Sequence, residues 1–344
     1  MTSATFSSGS PGVPADGASQ LKPVRVRGPW GEAWRRFRKD RFAMFFLVLL
    51  GFFFALAVSA QIVELVQGDA PTYDRSLMEM KIEESPGVLF EEGHHAPTLK
   101  AFPYGLLGLN WDGKSVLLRV FHGTKVAFFV GAFGAIMSVL IGMTLGLMAG
   151  FLGKVADGII VYLYSTLASI PYLLLMLAIA FVVKQGAFAD WYRDSWLGEK
   201  VSLGLFNIIF VIGLTSWVTL CRLVRAEVFK VRELDYVNAA RSLGFGNFRI
   251  MFKHVLPNVF HLVIINFSLT FVVAIKSEVI LTFLGVGVDK EPSWGLMITH
   301  AKNELLKGIW WPLAAAGTML FLLTLSVNYV GDALRDALDP KLKH

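Results

Sequence analysis

Six apolar runs, at 42–63, 126–152, 159–183, 203–223, 259–279 and 310–330, dominate this chain. Each is near or above the ~20 helical residues needed to cross a bilayer. Lipid offers a backbone no hydrogen-bond partner, so runs of this length fold as helices. With 55% hydrophobic residues over 344 positions, one water-facing fold has too little polar surface to cover them. The fold class is an all-α integral membrane protein, a six-transmembrane-helix bundle. Six crossings put both ends on one side.

Charge orients the bundle, because Lys and Arg near span ends favour the cytoplasm. Lys22, Arg25, Arg27, Arg35, Arg36, Arg38, Lys39 and Arg41 precede the first run; Arg222, Arg225, Lys230, Arg232, Arg241, Arg249 and Lys253 follow the fourth. The stretch between the first two runs holds the acids Asp69, Asp74, Glu79, Glu83, Glu84, Glu91 and Glu92 and is placed outside. The net charge of +6 thus reflects topology, and no nucleic-acid partner is implied.

The organisation is a disordered tail over 1–20, poor in large apolar side chains, then a basic amphipathic cytoplasmic segment over 21–41. A first crossing over 42–63 and an extracytoplasmic loop over 64–125 follow. Five helices over 126–330 enclose a cytoplasmic loop at 224–258, and 331–344 is a cytoplasmic tail. Trp30, Trp34, Phe37 and Arg41 share a helical stripe suited to the inner membrane surface. Val58-Ser59-Ala60 is like a signal-peptidase site, but the apolar run is too long for a signal core and the first helix is read as uncleaved. Cys221, the only cysteine, allows no intrachain disulfide and is read as structural.

Asp235 to Asn258 is a polar, Gly-punctuated insert between two apolar runs. Leu234, Val237 and Ala240 fall on one side of a helix, and Ala239 and Ala240 form a flat patch that another protein can approach. Gly244 stops this helix, Gly246 and Asn247 turn, and Asn247 caps a second amphipathic helix carrying Phe248, Met251, Phe252 and Val255. Pro257 is read as its end. In the second run Gly134, Ser138, Gly142, Gly146 and Gly150 recur every four residues, a helix-packing face. Ser169-Ile170-Pro171 is expected to bend or break the third run.

These residues resemble the permease subunits of ATP-binding-cassette importers, whose cytoplasmic signature is matched by Asn238-Ala239-Ala240, Gly244, Ile250 and Leu256-Pro257. Asn238 stands where the signature has Glu and cannot make that residue's ionic contact. The stretch PWGEAWRRFRKDRFAM, the Phe283 to Gly287 turn, Pro292-Ser293-Trp294-Gly295 and the 331–340 ending are similar to the C-type subunit of oligopeptide and dipeptide permeases. The resemblance covers roughly 29–63 and 104–340, leaving the acidic loop unmatched. It implies a type I importer permease in a bacterial cytoplasmic (inner) membrane, multi-pass, with both termini cytoplasmic and no ATPase site or cofactor of its own. ATP and Mg would be used by separate ATPase subunits; a second homologous permease and an extracytoplasmic solute-binding protein would complete the assembly within membrane lipid. Asp235, Tyr236, Asn238, Ala239, Ala240, Arg241 and Gly244 would form the ATPase-coupling loop. Glu278 matches an acidic position of the subfamily and is a candidate outer-gate residue, set against a local pairing with Lys276 or a reach to the headgroups. The substrate is read as an oligopeptide or dipeptide, with nickel or another small solute as alternatives; the substrate-binding residues are unassigned.

Other motifs weigh less. Gly108 to Ser115 fits the phosphate-loop pattern GxxxxGK[ST] letter for letter. No strand is expected before it, and Asp112 would sit beside the phosphates. His94 and His95 lack further ligands at useful spacing, so no metal site is assigned. An ion- or proton-coupled secondary transporter remains the alternative; His261, Asn266 and Asn328 lie in spans, without an acidic pair or visible repeat.

Overall fold

The computed structural model describes residues 29–67, 96–97, 105–289 and 291–338. The 1–20 tail, Lys22, Arg25 and Arg27, the acids from Asp69 to Glu92, the His94-His95 pair and residues 339–344 lie outside the described residues. The helices are α1 Pro29–Phe37, α2 Arg41–Gln67, α3 Val116–Leu152, α4 Lys154–Ala168, α5 Tyr172–Lys184, α6 Ala187–Arg193, α7 Trp196–Lys200, α8 Leu203–Val231, α9 Asp235–Ser242, α10 Asn247–Ile250, α11 Leu256–Phe283, α12 Trp294–Leu305 and α13 Trp311–Leu338. A π-helical turn, Met251–Val255, joins α10 to α11.

α3 and α8 form the axis of the bundle, with α11 beside them. α3 begins ten residues before its apolar run, so the end of the expected outer loop is helical. Ser115 caps it, accepting the Leu118 N–H. Hydropathy misses this turn because it carries Arg119, His122 and Lys125, which are nevertheless buried; Lys125 is paired with Glu64 at the end of α2.

The third apolar run is broken at Ser169–Pro171, where α4 and α5 meet at 94°. Pro171 has no N–H to continue the ladder. The two halves climb α8 in order. Asp157 binds Arg225 at one end; Ile160 and Tyr164 pack with Trp217 and Cys221; Tyr172 reaches Ser216; and Asn207 donates to the Ala180 carbonyl. The bent pair therefore runs along α8 from the Arg225 level to the Asn207 level.

Trp294, at the start of α12, is the largest anchor of a cluster that includes Phe53, Val120, Phe271 and Leu323. Its Nε1 donates to the Val120 carbonyl at 3.1 Å. Phe42, Phe45, Phe52 and Phe54 on α2 remain exposed, as a lipid-facing helix allows. α1 packs on the bundle through one residue of its stripe: Phe37 is buried with Ala43 against Ala337 of α13, while Trp34 stays exposed. The described ends of the chain are thus side by side.

Candidate functional site: docking helices and a mid-span cavity

α9 is a two-turn helix closed by Gly244, whose φ of +78° suits a residue without Cβ. The Phe245 N–H reaches the Ala240 carbonyl at 3.2 Å and the Gly244 N–H the Arg241 carbonyl at 3.0 Å, a Schellman ending that satisfies two otherwise orphaned acceptors. Asn238 donates from Nδ2 to the Glu233 carbonyl and accepts the Ser242 hydroxyl on its own carbonyl. Asp235 opens the helix on its exposed side. Arg241 lies over the Phe151 ring, and Arg249 over Phe245.

The two alanines do not form one flat patch. Ala240 is buried with Val237 against Val228, Ile250, Met251 and Val255, whereas Ala239 is exposed. Successive helical residues point about 100° apart, which separates them. Leu234, expected on the buried side, is the N-cap and is exposed. Met251 and Val255 face inward, while Phe248 and Phe252 stack on each other and are exposed at 67% and 46%. Leu243, at 74%, adds to this apolar surface. Gly246, with extended dihedrals, is the N-cap of α10, so Asn247 is its first residue and not its cap.

Pro257 does not end the second helix. The ladder widens into the π turn, where the Leu256 N–H bonds the Met251 carbonyl, and Pro257 lies in the first turn of α11, where its missing N–H is tolerated. Partial burial raises the Tyr236 phenol above its ordinary value, so it stays protonated at neutral pH.

The stripe on α3 lies against this chain's own helices. A Cβ on Gly134 would meet Ile212, one on Gly146 the Cys221 carbonyl at 2.8 Å, and one on Gly150 Val228 at 2.6 Å. Gly142 is equally tight, and Ser138 is buried beside it in the chain.

Glu278 is buried and accepts the Thr282 hydroxyl at 3.1 Å; that hydroxyl in turn accepts the Val288 N–H at 3.2 Å. A Cβ on Gly295 would stand 2.9 Å from Glu278 Oε1, and one on Gly287 would collide with Thr282. The carboxyl therefore ties the end of α11 to the loop that follows. Lys276, two residues away, is exposed on the other side of the helix, so the local pairing and the reach to the headgroups do not describe Glu278.

Sequence reasoning missed a cavity among the described residues. About 610 Å³ opens at the α4–α5 break, lined by Ser169, Pro171, Tyr172, Thr215, Ser216, Thr219, Asn266 and Thr270 among apolar neighbours. No charged side chain lines it. The Tyr172 and Ser216 hydroxyls are 2.9 Å apart. Pro171 was the one signal for its position.

The Gly108 to Ser115 loop is folded on itself. The Asn110 N–H bonds the Lys114 carbonyl, the Gly113 N–H the Asn110 carbonyl and the Lys114 N–H the Asn110 side chain. Those amides are spent within the turn and Ser115 caps α3, which leaves no phosphate cradle. Beside it Trp111 donates its N–H to Glu304 Oε1 at 3.3 Å. Burial pushes the Glu304 carboxyl up and the neighbouring His300 down. Among the described residues no group of three His, Cys, Asp or Glu side chains converges on a metal-sized site.

Residues 142–344 match the family model described as a binding-protein-dependent transport system inner membrane component. Residues 28–74 match the N-terminal TM domain of oligopeptide transport permease C. The chain is 31% identical over 313 residues to the dipeptide transport system permease protein DppC of Bacillus subtilis, covering 91% of this chain and 86% of that one. It is 31% identical over 333 residues to the glutathione transport system permease protein GsiD of Pectobacterium atrosepticum, covering 94% and 95%. A di/tripeptide transport system permease protein DppC of Pseudomonas aeruginosa is 36% identical over 240 residues, covering 70% and 73%. One family model over more than half of the chain and a 31% identical relative across nine-tenths of it lead to one conclusion: the chain belongs to the inner membrane components of binding-protein-dependent transport systems, in their oligopeptide and dipeptide permease C branch.

Proposed function

We propose that this chain is a membrane-spanning subunit of an ATP-driven importer of peptides. It carries no ATPase site and is driven by separate ATPase subunits that consume ATP and Mg. A second permease completes the passage, and an extracytoplasmic binding protein delivers the solute. The α9–α10 side is cytoplasmic, as its Lys and Arg content favours, and both termini lie on that side.

The observation that carries this reading is the two-faced helix pair. Val237, Ala240, Met251 and Val255 build one face into the bundle, while Ala239, Leu243, Phe248 and Phe252 are left exposed on a polar segment. Exposed apolar surface of this kind marks a protein contact. An ATPase docked there moves α9 when it binds ATP, and α11 and α8 shift around the cavity, whose hydroxyl and amide wall gives a polar solute hydrogen-bond partners at mid-span. Glu278 acts as a tie that holds the outer turn, a positional role for the outer end of the passage. The α3 stripe provides the rigid α3–α8 core against which the others move.

The test is affinity capture of the chain from its native membrane, with an Ala239→Trp variant. Recovery of a second permease and ATPases, with the ATPases lost from the variant, is expected. Uptake that survives ATP depletion and stops with an uncoupler would overturn the reading in favour of a secondary transporter.

A further inference from the structure

Two kinds of contact join the docking helix to the span it must move. The first is apolar: Val237 and Ala240 share one buried cluster with Val255 and Val259. Such contact is non-directional and permits sliding. The second is directional. Asn258 Nδ2 donates to the Tyr236 hydroxyl at 2.9 Å and to the His254 carbonyl at 2.7 Å, and that carbonyl also lies 3.5 Å from the Tyr236 hydroxyl. These groups come from three places: the first turn of α9, the π turn and the first turn of α11.

The π turn makes this triangle consequential. Its ladder bond runs from the Leu256 N–H to the Met251 carbonyl, and Pro257 offers no N–H to the next carbonyl, so the helix is weakest between α10 and α11. A push on α9 would be absorbed there unless a second link bypassed the weak turn.

We propose that Tyr236 and Asn258 are a positioning pair that bypasses the π turn and carries movement of α9 into the α11 span. The inference rests on the ATPase-docking reading above. With the pair intact, α9 and the start of α11 move as one body. Without it the π turn changes register and the span stays still while the docked ATPases continue to turn over.

The test uses the whole transporter, with its second permease and ATPases, in proteoliposomes. Cys221 is replaced by Ser, and a reporter thiol is placed on α11 at the exposed Leu269. Thiol labelling is measured with and without ATP and vanadate, beside ATP hydrolysis. With Tyr236 present, nucleotide trapping is expected to change the labelling rate. In Tyr236→Phe and in Asn258→Ala that response falls about fivefold, the factor one lost hydrogen bond supplies, and in Asn258→Ala hydrolysis persists. The double variant should be no worse than either single one. A full labelling response in both single variants would overturn the proposal, even if they assembled in smaller amounts, because that is the signature of a merely structural contact. If ATPases do not assemble with the unaltered chain, or trapping leaves its labelling unchanged, the docking reading itself fails.

Discussion

Gly142 stands so close to Trp217 that a Cβ on it would lie 2.7 Å from the Trp217 carbonyl oxygen. The obstacle is backbone, which cannot swing aside as a side chain would. Gly142→Ala is expected to lower stability by about 1–3 kcal/mol through overpacking. Thermal unfolding in detergent reads this. Gly317→Ala, where nothing lies within 4 Å, is the control and should be neutral or slightly stabilising. Equal melting of the Gly142 variant and the unaltered chain would contradict the close α3–α8 approach.

Neighbouring alanines on α9 should respond in opposite ways. Ala240→Trp forces an indole into the Val237, Ile250 and Val255 cluster and should destabilise the chain by about 1–3 kcal/mol, visible as loss of folded material in detergent. Ala239→Trp, on the exposed side, should leave the chain folded while removing the partner ATPases. If both variants lost the partners without any change in folding, the assignment of the two faces would be wrong.

Thr282 stands between the Glu278 carboxyl and the Val288 N–H. Thr282→Val keeps the shape but leaves both partners short of a hydrogen bond, at an expected cost of about 1–3 kcal/mol. Glu278→Gln retains an acceptor for the hydroxyl and should cost less. Melting temperatures compare the two directly, and a costlier Glu278→Gln would mean that the charge matters more than the bond. Unchanged transport in Glu278→Gln would also remove a gating role for its charge.

The recess beside Trp111 should show a pH signature. Glu304 is raised by burial, so the stability it contributes is complete below the unfolded value of about 4.3 and is lost as pH rises through the folded value. His300 is lowered by burial and contributes in the other direction: its share is present above about 6.5 and lost as pH falls through the folded value. Glu304→Gln should therefore gain stability relative to the unaltered chain as pH is raised from the acid side. A difference that stays constant with pH in thermal melts would rule this out.

Hydropathy reads helices where apolar residues are continuous and stops where polar ones are buried. It recovers the six runs but not the first turns of α3, where Arg119, His122 and Lys125 interrupt the pattern and yet lie inside. Spacing by three recovers Val237 and Ala240 as one buried face. It fails for Leu234, whose backbone is extended and therefore not yet on the helix. Pro171 signals a break but not an angle, since the 94° bend is fixed by how α4 and α5 each pack on α8. The cavity is the least legible feature. Thr215, Ser216, Asn266 and Thr270 are ordinary residues for a membrane helix, and only the folded chain brings their two helices to the break. Pro257 misleads for a related reason: proline halts a helix that has begun, but Leu256 begins a new one after the π turn.

The contact of Phe37 and Ala43 with Ala337 also governs the order in which the molecule can be completed. About 300 positions of chain separate the two sides, so α1 has no surface to close on until the last helix has entered the membrane. Until then α2 lacks the helix whose Tyr329 packs its ring against Phe46, 4.7 Å away. A chain that stalls before Trp311 leaves that whole seam open, ready to be filled by the wrong neighbour. Synthesis of the final helix is thus the event that commits the bundle to its own closure.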